Sequence, residues 1–163
     1  MISRGRILLS FFLAWLVFLA IDFLAHAALL RSLWDEAHPA LKPPDELFRL
    51  IPLGYLSFLL LTLLMGWLYL RIYPTQGNPR KALTFGALFG GLFAGASFFG
   101  WYSFLSLPLR FVAWVSLLYL VELTAVGWIL GLLLHPHPIK KRAWLLVVFI
   151  ISGFILGIVV QNL

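Results

Sequence analysis

Residues Ile7–Leu30 read ILLSFFLAWLVFLAIDFLAHAALL, an apolar run broken only by one acid, Asp22, and one histidine, His26. About 20 helical residues cross the hydrocarbon core of a bilayer, so the run is long enough to span it. Fifteen of its residues are Leu, Ile, Val or Phe. At about −0.3 to −0.6 kcal/mol each, they outweigh the cost of about 2.5–3.5 kcal/mol for Asp22. In lipid every backbone N–H and C=O needs an internal partner, which makes such a run a helix. Four further runs of this kind follow, at Leu50–Tyr73, Leu83–Leu105, Leu109–Leu134 and Ala143–Val160. The expected fold is all-α: an integral membrane bundle of five transmembrane helices forming one domain over 1–163. The longest extramembrane loop is expected at 31–49.

Proline marks the ends of the runs. Pro74 follows the second, Asn78-Pro79 places a cap and a first-turn proline before the third, and Pro108 opens the fourth. Pro136 and Pro138 bracket the turn before the fifth. Proline suits a first helical turn, where its missing N–H would be unpaired anyway. Only a few residues join the third and fourth runs, so these two are expected to form a tight antiparallel pair.

Composition excludes several classes. The chain is 63% hydrophobic and 11% charged, against about 45–50% and about 25% in soluble domains. A globule of 163 residues has too little interior for that apolar load. The hydrophobicity is equally incompatible with disorder. With no cysteine, disulfides, thiolate metal sites and thiol catalysis are excluded. The net charge of +6 is not a nucleic-acid footprint, because the basic residues sit in short clusters between apolar runs.

Those clusters set the expected orientation. A cytoplasmic amino terminus places Arg4, Arg6, Arg71, Arg80, Lys81, Lys140, Lys141 and Arg142 inside, and leaves Arg31, Lys42, Arg49 and Arg110 outside. The positive-inside rule favours this arrangement, with the carboxyl terminus outside, in a cell membrane read as the bacterial inner membrane. Met1–Arg6, Ile7–Ile21 and Ala25-His26-Ala27 also resemble the three regions of a secretory leader. The expectation is that the segment is kept as a span. Trp34, Trp101, Tyr102 and Trp114 fall towards the outer boundary, and Trp67, Tyr69, Tyr73 and Trp144 towards the inner one, as amphipathic rings prefer. Trp15 and Trp128 are expected to pack deeper.

Two acids lie inside spans, Asp22 and Glu122. Asp22 and His26 are four residues apart on an arc with Ser10, Ala14, Ala25 and Ala28 that should face the bundle. Tyr119, three residues before Glu122, is a candidate hydrogen-bond partner for it. At 1.5 Å per residue, Asp22 and Glu122 both lie well below their outer helix ends, so they can meet across helices. The candidate site is therefore an intramembrane polar cluster of Asp22, His26, Tyr119 and Glu122. It serves either as a proton or cation relay or as a buried network that fixes helix register.

Small residues point to helix contacts. Gly86/Gly90, Gly91/Gly95, Gly127/Gly131 and Gly153/Gly157 all stand at GxxxG spacing, which lets helices approach closely in lipid. They are not a phosphate loop, since no Lys-Ser or Lys-Thr follows them. His135-Pro136-His137-Pro138 reads as an interfacial turn, and two histidines alone make a poor transition-metal site. The one cofactor reading with geometric sense is haem or another pigment at His26 and His38. None is expected, nor is a metal. In the outer loop, Trp34-Asp35-Glu36 and Pro43-Pro44-Asp45-Glu46 suggest a short interfacial helix and a helix start within a solvated connector. No nucleophile–base constellation appears, so catalysis is not expected.

Asp22-Phe23-Leu24-Ala25-His26-Ala27-Ala28-Leu29-Leu30, followed by Trp34, resembles the first span of a group of small bacterial multi-span membrane proteins that open with Asp-x-x-x-His-x-x-Leu-Leu. The similarity extends to the glycine-rich third span and to an acid followed by glycine in the fourth, here Glu122 and Gly127, and it covers the chain up to Leu134. Members often carry glycine where this chain has Ala27. The group has no assigned activity, so the resemblance implies only that Asp22, His26 and Glu122 are the residues to examine. The expected function is an accessory or scaffolding subunit of a larger membrane complex, in contact with lipid and with other membrane subunits or copies of itself. The alternative is a small proton- or cation-coupled transporter or channel using Asp22, His26 and Glu122.

Overall fold

A computed structural model of the chain describes residues 2–35, 40–74, 78–136 and 138–162, apart from the side chains of Asp35 and Pro44. The described residues are helical and contain no strand. Helix α1 (Arg4–Leu24) runs on through a π-helical turn, Ala25–Leu29, into the short α2 (Arg31–Asp35). Then come α3 (Pro44–Ile72), α4 (Pro79–Phe104), α5 (Leu109–Leu134) and α6 (Ile139–Gln161). Five of these are long and apolar enough to cross a membrane, and the protein is an all-helical membrane protein.

Four helices begin before their apolar runs do, because local chemistry and not apolarity sets the ends; α1 starts at Arg4, where the Ser3 side chain accepts from the Arg6 N–H. The second span starts at Pro44 and not at Leu50: Pro43 and Pro44 pre-set the first turn, and Asp45 and Glu46 in it complement the helix dipole. Pro52 consequently falls inside α3. The third span starts at Pro79, where the Asn78 side chain accepts from the backbone N–H groups of Arg80 and Lys81 at 3.0 and 3.2 Å. The fifth starts at Ile139, directly after Pro138.

Helix α1 is the centre of the bundle and packs against α3, α5 and α6. Its Leu13, Ala14, Val17, Phe18 and Ala20 are buried with Leu123, Val126, Ile129, Leu130 and Leu133 of α5. The leader-like segment is thus built into the core. Towards α3, Phe18 stacks on Phe58 with ring centroids 4.4 Å apart, and the Trp15 indole N–H donates to the Tyr55 carbonyl at 3.1 Å. Towards α6, Gly153 sits against Ala20 and Gly157 beneath the Phe23 ring. Trp128, expected in the interior, is instead exposed on the lipid-facing side of α5.

Helices α4 and α5 form the closest pair, as the short connection predicts. A Cβ on Gly127 would lie 2.6 Å from the Gly86 Cα and 2.7 Å from the Ala82 carbonyl oxygen. One on Gly86 would lie 2.8 Å from the Leu123 oxygen, and one on Gly90 3.1 Å from the Leu120 oxygen. At Gly127 and Gly86 these are approaches to backbone that only glycine permits, and at Gly90 the fit is tight. Gly91 and Gly95 take no part: a Cβ on Gly91 would just reach Leu120 at 4.0 Å, and one on Gly95 would meet nothing within 4 Å.

At the end of the bundle that carries Arg6, Asn78 and His135, two arginines finish α5. Pro136 and Pro138 have no N–H, so the last carbonyls of α5 lack the donors a continuing helix would supply. Arg142 donates to the Leu132 oxygen at 2.7 Å. The Arg6 Nε donates to the Leu133 oxygen at 2.7 Å, and its Nη2 to the His135 oxygen. Cations here also meet the negative end of the α5 dipole. Eight of the chain's 12 basic residues and none of its described acids lie at this end, which we call the basic end.

Candidate functional site

The candidate site begins where α1 loosens. The Leu30 N–H donates to the Ala25 oxygen at 2.9 Å, a five-residue step that widens the turn. Helix α2 then folds over the end of the bundle and returns Trp34 to His26. The Trp34 indole N–H donates to His26 Nδ1 at 2.7 Å, and His26 Nε2 lies 3.2 Å from an Asp22 carboxylate oxygen. Indole nitrogen can only donate, so Nδ1 is the acceptor and the imidazole proton sits on Nε2, pointing at Asp22. Trp34 is held from its other side by Phe111 of α5, edge-on at 5.0 Å. Around it Leu30, Leu33, Leu107, Val112 and Val115 form a second, smaller core that closes this end.

Removing the indole donor tests the tautomer. Trp34→Phe keeps the ring against Phe111 and frees Nδ1. The histidine ¹⁵N spectrum should then change from a single Nε2–H form to exchange between tautomers. An unchanged spectrum would show that Asp22 alone sets the proton's position.

Helix α5 brings Glu122 and Tyr119 to α1. The two helices run antiparallel, with Arg6 beside Leu133. Counted from that contact, Asp22 is about 24 Å and Glu122 about 17 Å along their helices, so they differ by about two turns or less. Asp22 lies within electrostatic range of Glu122, of Tyr119 and also of Tyr55 on α3. The four expected residues thus gather in one region, with Tyr55 as an added member.

The expected Tyr119–Glu122 hydrogen bond does not form. Glu122 is 0% exposed, and neither of its carboxyl oxygens has a hydrogen-bond partner. The Tyr119 ring instead packs edge-on against Phe93 at 5.1 Å, beside a cavity of about 310 Å³ lined also by Ser57, Phe58 and Leu61. Ser116 and Thr62 are likewise buried with their hydroxyl oxygens unpartnered. Ser116, Tyr119 and Glu122 recur at threefold spacing along one face of α5. Thr62 is three residues before Met65, whose terminal methyl lies against Gly127, which places it near the level of Glu122.

Sequence reading missed Trp34, Tyr55, Thr62 and Ser116. Trp34 reads as a boundary aromatic, and only the π-turn reveals it as the partner of His26. The hydroxyl residues stand singly in apolar runs and give no signal of their own. His38, named for a pigment, and Glu36 and His137 lie outside the described residues. Among the described residues no three His, Cys, Asp or Glu side chains group as metal ligands. The arrangement offers acids, a histidine with an assigned proton and hydroxyl oxygens.

Comparison with protein-family models, with curated proteins and with solved structures found no match to this chain.

Proposed function

We propose that the protein is a small, non-catalytic membrane subunit that serves as an accessory or scaffold in a larger membrane assembly. Its basic end faces the cytoplasm and its carboxyl terminus the outside of a bacterial inner membrane, by the excess of Lys and Arg at that end. One observation carries the reading. Of the four glycine pairs, three are filled from within the chain, whereas Gly91 and Gly95 leave a nearly bare strip on a flank of α4, beside the stripe that packs on α5. In lipid a smooth strip of this kind is where another helix can come closest. Helix α3 adds to it: only Thr62, Met65, Gly66 and Tyr69 of its residues with described side chains are buried, so most of its length is free to meet a neighbour.

Gentle extraction and native electrophoresis test this. The protein should migrate in a large band whose mass spectrum contains other subunits. Gly95→Leu should dissolve that band while leaving the thermal midpoint of the isolated protein unchanged. A lone monomer in native membrane extracts would overturn the proposal.

A second reading rests on Glu122. An acid enclosed in the membrane without a donor, with Asp22 and a proton-bearing His26 nearby, fits a small proton- or cation-coupled transporter or channel. Proton or cation flux in proteoliposomes should fall when Asp22→Asn and Glu122→Gln are combined. Flux identical to wild type would remove this reading.

A further inference from the structure

Helices α5 and α6 both pack on α1 but make little contact with each other. They meet at the Pro138 turn, where Arg142 donates to the Leu132 oxygen, and separate beyond it. The seam between them is an apolar groove floored by α1. Its part nearer the basic end has about 300 Å³ and is lined by Val17, Ile21, Ala125, Trp128, Arg142 and Phe149 among others. The part beyond has about 540 Å³, is walled by Leu24, Trp114, Leu117 and Gly153, and shares Ile21 and Phe149 with the first. The two lie one beyond the other along the protein's side, with Ile21 and Phe149 in the wall of both.

We propose that this seam is a binding site for a single anionic phospholipid, with its phosphate on Arg142 and an acyl chain lying along α1. Three features select this occupant. Among the described residues Arg142 is the one ionisable residue lining either part. One of its N–H groups is engaged by Leu132, and a guanidinium has five, enough to hold a phosphate diester as well. Lys140 and Lys141 precede it in sequence, and none of the described acids lies at this end to compete, so the field favours a negative headgroup. The length also fits: from Arg142 to Gly153 along α6 is about 17 Å, close to one leaflet of a hydrocarbon core about 30 Å thick. A packing helix is a poorer match, because a helix is about 10 Å across and the exposed Trp114 and Trp128 crowd the α5 wall.

The test uses the full-length protein in mild detergent and in nanodiscs, offered phosphatidylglycerol or phosphatidylcholine with the same acyl chains. Native mass spectrometry should show one retained phosphatidylglycerol, and its addition should raise the thermal midpoint while phosphatidylcholine or free glycerol phosphate does not. Arg142→Gln, which keeps an N–H for Leu132, should reduce the preference for the anionic lipid about fivefold. Ala125→Phe, which fills the groove and leaves every charge in place, should abolish retention. Should Arg142→Gln fail to fold, Ala125→Phe decides alone. Equal retention of the two lipids by the wild type, or undiminished retention by Ala125→Phe, would overturn the proposal.

Discussion

Gly127→Leu is expected to prevent the protein from folding to a stable bundle. Its Cβ alone would stand 2.6 Å from the Gly86 Cα and 2.7 Å from the Ala82 oxygen, and both are backbone atoms that cannot swing aside. Overpacking a core where side chains can adjust costs about 1–3 kcal/mol. Here the whole of α4 must move away from α5, so the loss should exceed about 3 kcal/mol, a large share of the 5–15 kcal/mol that keeps a typical protein folded. Thermal denaturation in detergent with size-exclusion chromatography would show it as a collapsed midpoint or as aggregate. Gly95→Leu supplies the contrast, since its Cβ meets nothing within 4 Å and its midpoint should stay at the wild-type value. The neighbouring pair allows a rescue: a Cβ on Gly131 would collide with the Ala82 Cβ at 2.2 Å. Ala82→Gly should therefore restore part of the stability that Gly131→Ala removes. Equal effects at positions 95 and 127 would contradict this account of the interface.

These contrasts also show what the sequence could carry. Five spans were legible because crossing a bilayer demands a long apolar run whatever the neighbours do, and α5 begins and ends where its run does, at Leu109 and Leu134. GxxxG spacing announced close contacts but not their direction. Gly86/Gly90 and Gly91/Gly95 have the same pattern on one helix, and which pair meets α5 depends on the rotation of α4. That rotation is set by the joint shape of Ala82, Leu120 and Leu123 and not by any local motif. Helix α3 begins ahead of its apolar run because apolarity reports where lipid begins, whereas Pro43, Pro44 and the first-turn acids, legible as a helix start, decide where the helix begins. The site divides in the same way. Asp22 and His26 lie one turn apart on one helix, so their contact could be read from spacing. Trp34 reaches His26 only because the π-turn redirects the chain, and nothing in Ala25–Leu29 announces it.

Glu122→Leu is expected to make the protein more stable, and Asp22→Leu less so, although both remove an acid from the membrane interior. Asp22 accepts from His26, which in turn accepts from Trp34. Deleting its carboxyl strands the Nε2–H and disturbs the seat of α2, at a cost of about 1–3 kcal/mol. Glu122 has no such partner, and both its oxygens are enclosed and unpaired. Leucine there fills a similar volume with no polar atom left unsatisfied. A buried polar group left without a hydrogen-bond partner costs about 1–3 kcal/mol, and leucine at this position avoids that cost. Chemical or thermal denaturation of the two single variants should therefore move in opposite directions from wild type. That outcome would set the register role aside, because a bundle that is firmer without Glu122 does not depend on it for its fold. The residue would then be acting in transport or in a contact with another subunit. Loss of flux in proteoliposomes would identify the first, and loss of the large native band with flux unaffected the second. If Glu122→Leu proves destabilising, the carboxyl has a donor in the membrane, supplied by water, lipid or a neighbouring chain. Glu122 would then belong with Asp22 and His26 to a network that holds the helices in place.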